Sequence, residues 1–202
     1  MNSEKINSSN TELKKACEIW DKAIPAPPTH PYLLLKRVKP YSLKISERGL
    51  EVPGYINGKL VSLLAIPNDG GQKMFLKGST ITGSYYKLGQ VNDQTIYIAE
   101  GFATAATIHE DNSHCVYCAF TCNNLKHVAV YLRDKYPELD IIICGDDDYR
   151  TTNNPGRKHA IEAAKAAKAA YTFPDFTGLE RGPKDTDFND LARLIKESNS
   201  EH

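Results

Sequence analysis

The segment Asp140–Cys144, DIIIC, most constrains the fold, because a short run that is apolar throughout its interior suits a strand covered on both faces. Thr95–Ala99 and His114–Thr121 are two further apolar strands, and Tyr171–Phe173 is a fourth, short one. Helical segments separate them. Residues 102–110 are Ala-rich. Asn123 and Asn124 are expected to cap a helix in which Leu125, Val128, Ala129, Leu132 and Tyr136 form one apolar stripe. Pro155 opens a long helix reaching Ala170, whose AAKAAKAA stretch reads simply as strong helix former. A last helix follows Asp187, with Phe188, Leu191, Ala192 and Ile195 on one face. Strands alternating with helices predict right-handed βαβ units, and so an α/β domain over 93–202 with a parallel sheet flanked by helices.

The first half reads differently. Residues 1–10 are expected to be a disordered tail, followed by a smaller α+β subdomain over 11–92. Leu13, Cys17, Trp20 and Ile24 recur at helical spacing over 11–24, with Trp20 facing the core, before PAPPTHP breaks the chain. Pro31 is placed to open a short helix, PYLLLKRV, and His30 to cap it. Short strands follow: Glu51–Ile56 and Lys59–Ile66 flank Asn57-Gly58, a hairpin signal, and a loop with Asp69-Gly70-Gly71 leads to Lys73–Leu76. Tyr85 and Tyr86 suit sheet packing better than base stacking, and His109 and His127 suit structural or exposed positions on helices.

Composition excludes some classes. Hydrophobic residues at 41% and charged residues at 25% are ordinary for a globular protein, no apolar run reaches the ~20 residues of a membrane span, and MNSEKINSSN lacks a signal core. The expectation is a cytoplasmic protein with no membrane partner. Net charge is zero, but residues 1–95 carry 13 Lys/Arg against 8 Asp/Glu and residues 96–202 carry 12 against 17. Such a split suits a chain that holds a polyanion on one surface and cations on another; chance gives it too, so the motifs must decide. Five cysteines, an odd number, argue against a disulfide framework. Cys115 and Cys118 form a C-x-x-C beside His114 and Cys122, but residues three apart on a strand face opposite ways, so no zinc site is expected.

The acidic residues carry the chemistry. Glu100 directly follows the first strand of the α/β domain, and Asp146, Asp147 and Asp148 follow the third. In a parallel sheet these ends share one edge, where open α/β folds bind ligands. Clustered carboxylates raise one another's pKa or demand cations, and hard divalent ions prefer oxygen ligands. In an extended turn Asp146 and Asp148 project to one side and Asp147 to the other, so the useful pair is the D-x-D. PKDTDFND adds Asp185, Asp187 and Asp190, each of which, taken singly, is a cap or a solvated loop acid.

This arrangement resembles the Toprim family, the metal-binding domain of bacterial-type primases, type IA and II topoisomerases and some nucleases. The residues that carry the resemblance are IYIAEG (96–101), IIICGDDD (141–148) and PKDTDFNDL (183–191), within roughly 94–197. The finer likeness is to Toprim primases of phages and plasmids, through GFATAATIHE, GDDDYRTTNNPG and, before them, PAPPTHPYLLLKRV and KLVSLLAIPNDGGQKMFLKG.

The resemblance implies a DNA primase core that makes RNA primers from ribonucleoside triphosphates on single-stranded DNA with Mg2+ or Mn2+. It implies Glu100, Asp146 and Asp148 as catalytic, and these with Asp185 and Asp187 as metal ligands, Glu100 being either a ligand or the general base. Lys59, Lys73, Lys77, Arg150, Lys158 and Lys184 are its candidate contacts to nucleotide and template, although any one Lys is as readily a solvated charge. Neither a zinc-binding module nor the G-x-x-x-x-G-K-[ST] of a helicase occurs in these 202 residues, so partnership with a replicative helicase or a separate zinc-binding or initiator protein is implied. A Toprim nuclease and a non-catalytic nucleic-acid or replication-partner module are the alternatives on the same frame. A topoisomerase needs a further domain with a nucleophilic Tyr, for which the chain leaves little room.

Overall fold

A computed structural model describes residues 13–68, 71–92 and 94–200. The tail expected over 1–10 lies outside the described residues, as do Asp69 and Gly70 of the expected loop. The chain divides into two compact units between Tyr86 and Lys87. The sequence predicts a division at 92/93; the cut between the units falls inside a strand, Tyr86–Leu88, at the edge of the second sheet.

In the first unit, residues 13–22 form helix α1. Ala16 on the helix and Ala23 just after it are buried, with Ile19 and Trp20 packed against a cluster of Ala16, Leu63 and Leu76. Cys17 is exposed and Ile24 is 64% exposed, so the expected face is turned by about one position. The reason is local: Pro25 disfavours the helical region for Ile24, and Ile24–Pro25 become strand β1 instead, paired with Lys44 and Ile45. Helix α2 (Pro31–Lys36) begins at its proline, and His30 Nδ1 accepts from the Tyr32 amide at 3.2 Å, the cap that was expected. An antiparallel sheet then runs in order β1, β2 (Lys44–Ser46), β3 (Gly49–Ile56), β4 (Lys59–Ile66) and β5 (Met74–Phe75). Asn57 and Gly58 have φ of 50° and 75°, the pair of left-handed residues that a two-residue hairpin requires. Tyr85 and Tyr86 are buried, as packing predicts.

The second unit is the α/β domain. Its elements are β6 (Tyr86–Leu88), β7 (Thr95–Ala99), α3 (Phe102–Asn112), β8 (Cys115–Cys118), α4 (Cys122–Lys135), β9 (Asp140–Cys144), α5 (Pro155–Ala167), β10 (Ala170–Thr172) and α6 (Phe188–Ser200). Sheet order is β10-β9-β7-β8-β6, and β10, β9, β7 and β8 pair in parallel. The sheet is covered by Leu125, Val128, Ala129 and Leu132 of α4 and by an alanine stripe on α5, Ala160, Ala163, Ala164 and Ala167, all buried. The Ala/Lys run is thus a close-packing face as well as a good helix former. Thr121, not Asn123 or Asn124, precedes the first turn of α4, while Asn124 Nδ2 donates to the Ala119 carbonyl at 2.8 Å. On α6 the buried residues are Asn189 and Asp190, and Ile195 is 44% exposed. That helix begins with a polar anchor, Asn189 Nδ2 to Thr107 Oγ1 at 2.8 Å, so its apolar stripe is only partly covered. No helix among the described residues is long and apolar enough to cross a membrane.

Candidate active site

The two central strands end level. Ala99 at the end of β7 partners Cys144 at the end of β9, so Glu100 and Gly145-Asp146 step off the same edge. Residues 46 apart in the chain meet there only because the sheet is parallel at these strands. Asp146 Oδ1 is shut off from solvent and has no hydrogen-bond partner. Burial raises its pKa well above the ordinary carboxylate value, and the charges of Glu100, Asp187, Asp148 and Asp190, in that order, raise it further. All four acids therefore lie close enough to Asp146 to load it with negative potential. Burial likewise raises the thiol of Cys122, again with Glu100 and Asp148 adding to it.

The D-x-D turn is held by the start of α5. Asn154, at φ 41°, caps that helix: its Oδ1 accepts from the Asp148 amide at 2.9 Å and the Arg157 amide at 3.3 Å. Its Nδ2 donates to Asp147 Oδ1 at 2.7 Å. The Gly156 amide donates to Asp148 Oδ2 at 2.9 Å. A Cβ on Gly156 would stand 2.5 Å from the Asp146 carbonyl oxygen, so glycine is what lets the helix end approach the turn.

Asp147 is held by two arginines and Asn154. Arg157 Nε donates to Oδ1, and Arg181 donates from Nη1 to Oδ2 at 2.7 Å and from Nη2 to the backbone carbonyl at 2.6 Å. Burial opposes ionisation of Asp147, but hydrogen bonds from Arg157, Asn154 and Arg181 together prevail and hold it at about 2. Arg181 itself is stacked on Tyr149 and Phe176, 3.8 and 4.2 Å from the ring centroids.

The second acidic segment divides its work. Asp187 Oδ1 accepts from the amides of Asn189 (2.7 Å) and Asp190 (2.9 Å), capping α6. Asp190 Oδ2 accepts in return from the Thr186 and Asp187 amides. Asp185, expected as a metal ligand, pairs through Oδ1 with Arg193 at 2.6 Å and accepts through Oδ2 from the Gly182 amide at 2.8 Å. Of the basic candidates, Arg150, Lys158 and Lys184 are exposed in this unit, and Arg150 Nε donates to the Tyr149 hydroxyl at 3.0 Å. Lys59, Lys73 and Lys77 are exposed in the first unit, Lys73 Nζ lying 5.6 Å from the Tyr32 ring centroid.

Asn154 and Arg181 stand outside the site residues that the sequence predicts. Asn154-Pro155-Gly156 carried a readable signal, a cap residue before a first-turn proline; Arg181 carried none.

Among the described residues no three His, Cys, Asp or Glu side chains converge as a ready-made metal cage. Cys115 and Cys118 are buried on β8, with burial pushing the Cys115 thiol up to about 11. The oxygen donors nevertheless fit a hard divalent ion. Mg2+ keeps several waters and takes only one or two carboxylates, and an unpartnered buried Asp146 oxygen beside Glu100 and Asp148 offers that.

A parallel sheet with carboxylates from two strand ends at one edge defines a class, and residues 95–196 match the Toprim domain family; the chain belongs to it. It is 37% identical over 144 residues to a DNA primase TraC of Escherichia coli, covering 66% of this chain and 14% of that protein. A second Escherichia coli DNA primase TraC is 32% identical over 169 residues, covering 78% of this chain and 12% of that protein. The chain thus spans about one-seventh or less of the length of these relatives. Among solved structures, the DnaG catalytic core superposes with TM-score 0.57 at 10% identity, over 98% of this chain and 79% of that one. A chain of the bacteriophage T7 lagging-strand DNA polymerase structure, which includes primase domains of two gp4 subunits bound to an RNA/DNA hybrid and dTTP, superposes with TM-score 0.52 at 17% identity. That match covers 77% of this chain and 79% of the other. At such identities the two structures speak for the fold.

Proposed function

We propose that this chain is the catalytic core of a DNA primase, joining ribonucleotides into short RNA primers on single-stranded DNA with Mg2+ or Mn2+, in phage or plasmid replication. The observation that carries this is the solvent-shielded, unpartnered Asp146 oxygen under the charges of Glu100, Asp148 and Asp187 at the sheet edge. The relatives' printed function supports nucleotidyl transfer over hydrolysis for that site.

In the reaction a 3′-hydroxyl oxygen bonds to the α-phosphorus of the incoming nucleotide. The bond to the β-phosphate bridging oxygen breaks, and pyrophosphate leaves with the electron pair. Glu100, Asp146, Asp148 and Asp187 are the residues that would hold divalent ions. When bound, such ions supply positive charge to the triphosphate and ease ionisation of the hydroxyl. Asp148 is aimed by the Gly156 amide, and Oδ1 of Asp146 is shielded from solvent just past the strand end. The hydroxyl proton passes to a carboxylate of this group. Asp185, engaged by Arg193 and Gly182, acts by fixing the loop that carries Asp187. Arg150, Lys158 and Lys184 take phosphate oxygens, and Lys59, Lys73 and Lys77 take template or nucleotide in their own unit. A replicative helicase or a separate zinc-binding or initiator protein completes the reaction in the cytoplasm.

The test is extension of a pre-annealed RNA primer on single-stranded DNA with ribonucleotides and Mg2+ or Mn2+, which removes any need for start-site recognition. Metal-dependent extension by the wild type, lost in Glu100→Gln and in Asp146→Asn, is the expected result. Shortening of the DNA with no extension, or extension that survives in both variants, overturns the reading.

A further inference from the structure

The middle residue of the aspartate triplet belongs to neither acidic group, yet it is the most heavily bonded of the three. The Asp147 side chain is only 9% exposed, and both its oxygens are used. Oδ1 takes Arg157 and Asn154 from the start of α5; Oδ2 takes Arg181 from the loop before α6. Its amide donates to the Thr186 carbonyl at 2.7 Å, one residue before Asp187. Arg181 closes the circuit by donating from Nε to the Asp185 carbonyl at 2.7 Å while its Nη2 holds the Asp147 carbonyl. Asp147 and Arg181 therefore lock the backbone at 147 to the backbone at 185 and 186.

This lock has an electrostatic reason. The turn at 146–148 and the cap at 187–190 are both negative, and Asp187 is among the charges that press on Asp146. Left to themselves the two segments repel. Two guanidiniums on Asp147 remove its own charge from that balance and supply the attraction that holds the segments together.

We infer that Asp147, gripped by Arg181, is a positioning residue that registers the Asp187 loop against the Asp146/Asp148 turn and so assembles the cation-binding edge. It touches no reacting atom; it acts through the carboxylates it aligns. The inference rests on the metal-dependent reading above, but its primary readout is binding rather than catalysis.

Mn2+ alone is titrated against the wild-type chain, Asp147→Asn, Arg181→Lys and, as a stability control, Leu132→Ala in the core of α4, following the thermal midpoint; primer extension is measured in parallel. Loss of an outer hydrogen-bonding partner weakens metal binding by about 10- to 100-fold, so half-saturation in Asp147→Asn should move to at least about tenfold higher Mn2+. Arg181→Lys, which keeps the charge but cannot hold Asp147 Oδ2 and the backbone carbonyls of Asp147 and Asp185 at once, should move the same way. Leu132→Ala should lower the midpoint and leave half-saturation in place. If Asp147→Asn and Arg181→Lys behave like Leu132→Ala, the role is merely structural and the inference is overturned. If the wild type gives no Mn2+-dependent shift, the cation-binding edge itself falls and the inference with it. If the wild type binds Mn2+, the two variants weaken it and no protein extends primers, the positioning role stands and the primase reading is what has failed.

Discussion

Gly156→Ala sets a helix gain against a steric loss at the heart of the site. Alanine inside a helix is favoured over glycine by about 0.5–1 kcal/mol, so an open position would be stabilised. Here the new Cβ would lie 2.5 Å from the Asp146 carbonyl oxygen and 2.9 Å from Asp148 Oδ2, where ordinary contact begins at 3.4 Å. The nearer obstacle is backbone of the turn just after β9, which cannot rotate aside. Overpacking of this kind costs about 1–3 kcal/mol, which outweighs the helix gain and leaves a net loss of about 1–2 kcal/mol. For a chain of 202 residues that lowers the thermal midpoint by about 2–8 °C. Relief of the contact by moving the D-x-D turn displaces the acids by a good part of 1 Å, and misplacement on that scale costs up to about 10²-fold in rate. Urea unfolding measures the first effect and pre-annealed primer extension the second. A Gly156→Ala protein that is as stable as wild type and fully active would show that α5 does not press on the turn.

Asp147→Asn should cost on the order of 2 kcal/mol at pH 7, from a carboxyl held at about 2 against 3.8 in the free residue. Because the folded pKa is the lower one, that stability is present above about pH 4 and is lost as pH falls through 2; roughly half should remain at pH 3. Urea titrations at pH 7 and pH 3 check this, and a deficit that does not shrink at pH 3 contradicts it. Asp146→Asn has the opposite sign. Its folded pKa is raised by burial and by Glu100, so the ionised group penalises the fold increasingly as pH rises, and the metal-free variant should melt above wild type at pH 7, with no gain at acid pH. Calorimetry in chelator reads this directly, and a lower midpoint at pH 7 would contradict the crowding of charge. In the first unit Gly58→Ala meets no atom within 4 Å, so its cost is the left-handed backbone alone, about 1 kcal/mol by chemical denaturation; a loss several times larger would mean that the hairpin turn is packed, not open.

The local patterns carried far into the structure. Apolar runs with a period of two or with none located β7 and β9 residue for residue, because strands buried on both faces cannot hide a polar position. Asn57-Gly58 set the hairpin turn for an equally local reason, the need for two positive φ angles. The order of strands and helices then required a parallel sheet, and with it the meeting of Glu100 and Asp146.

Tertiary structure alone decided which acids are left unsatisfied. Asp146, Asp147 and Asp148 look alike in the sequence, yet one has a buried oxygen without a partner, one is clamped by two arginines and one is held by a helix amide. Arg181 lies 34 residues from Asp147 with no periodicity to announce it, and Asp185 went to Arg193 although its neighbour Asp187 caps α6. Spacing encodes which face of an element a residue occupies. Which partner waits there depends on packing between elements far apart in the chain, and that is where the three aspartates part ways.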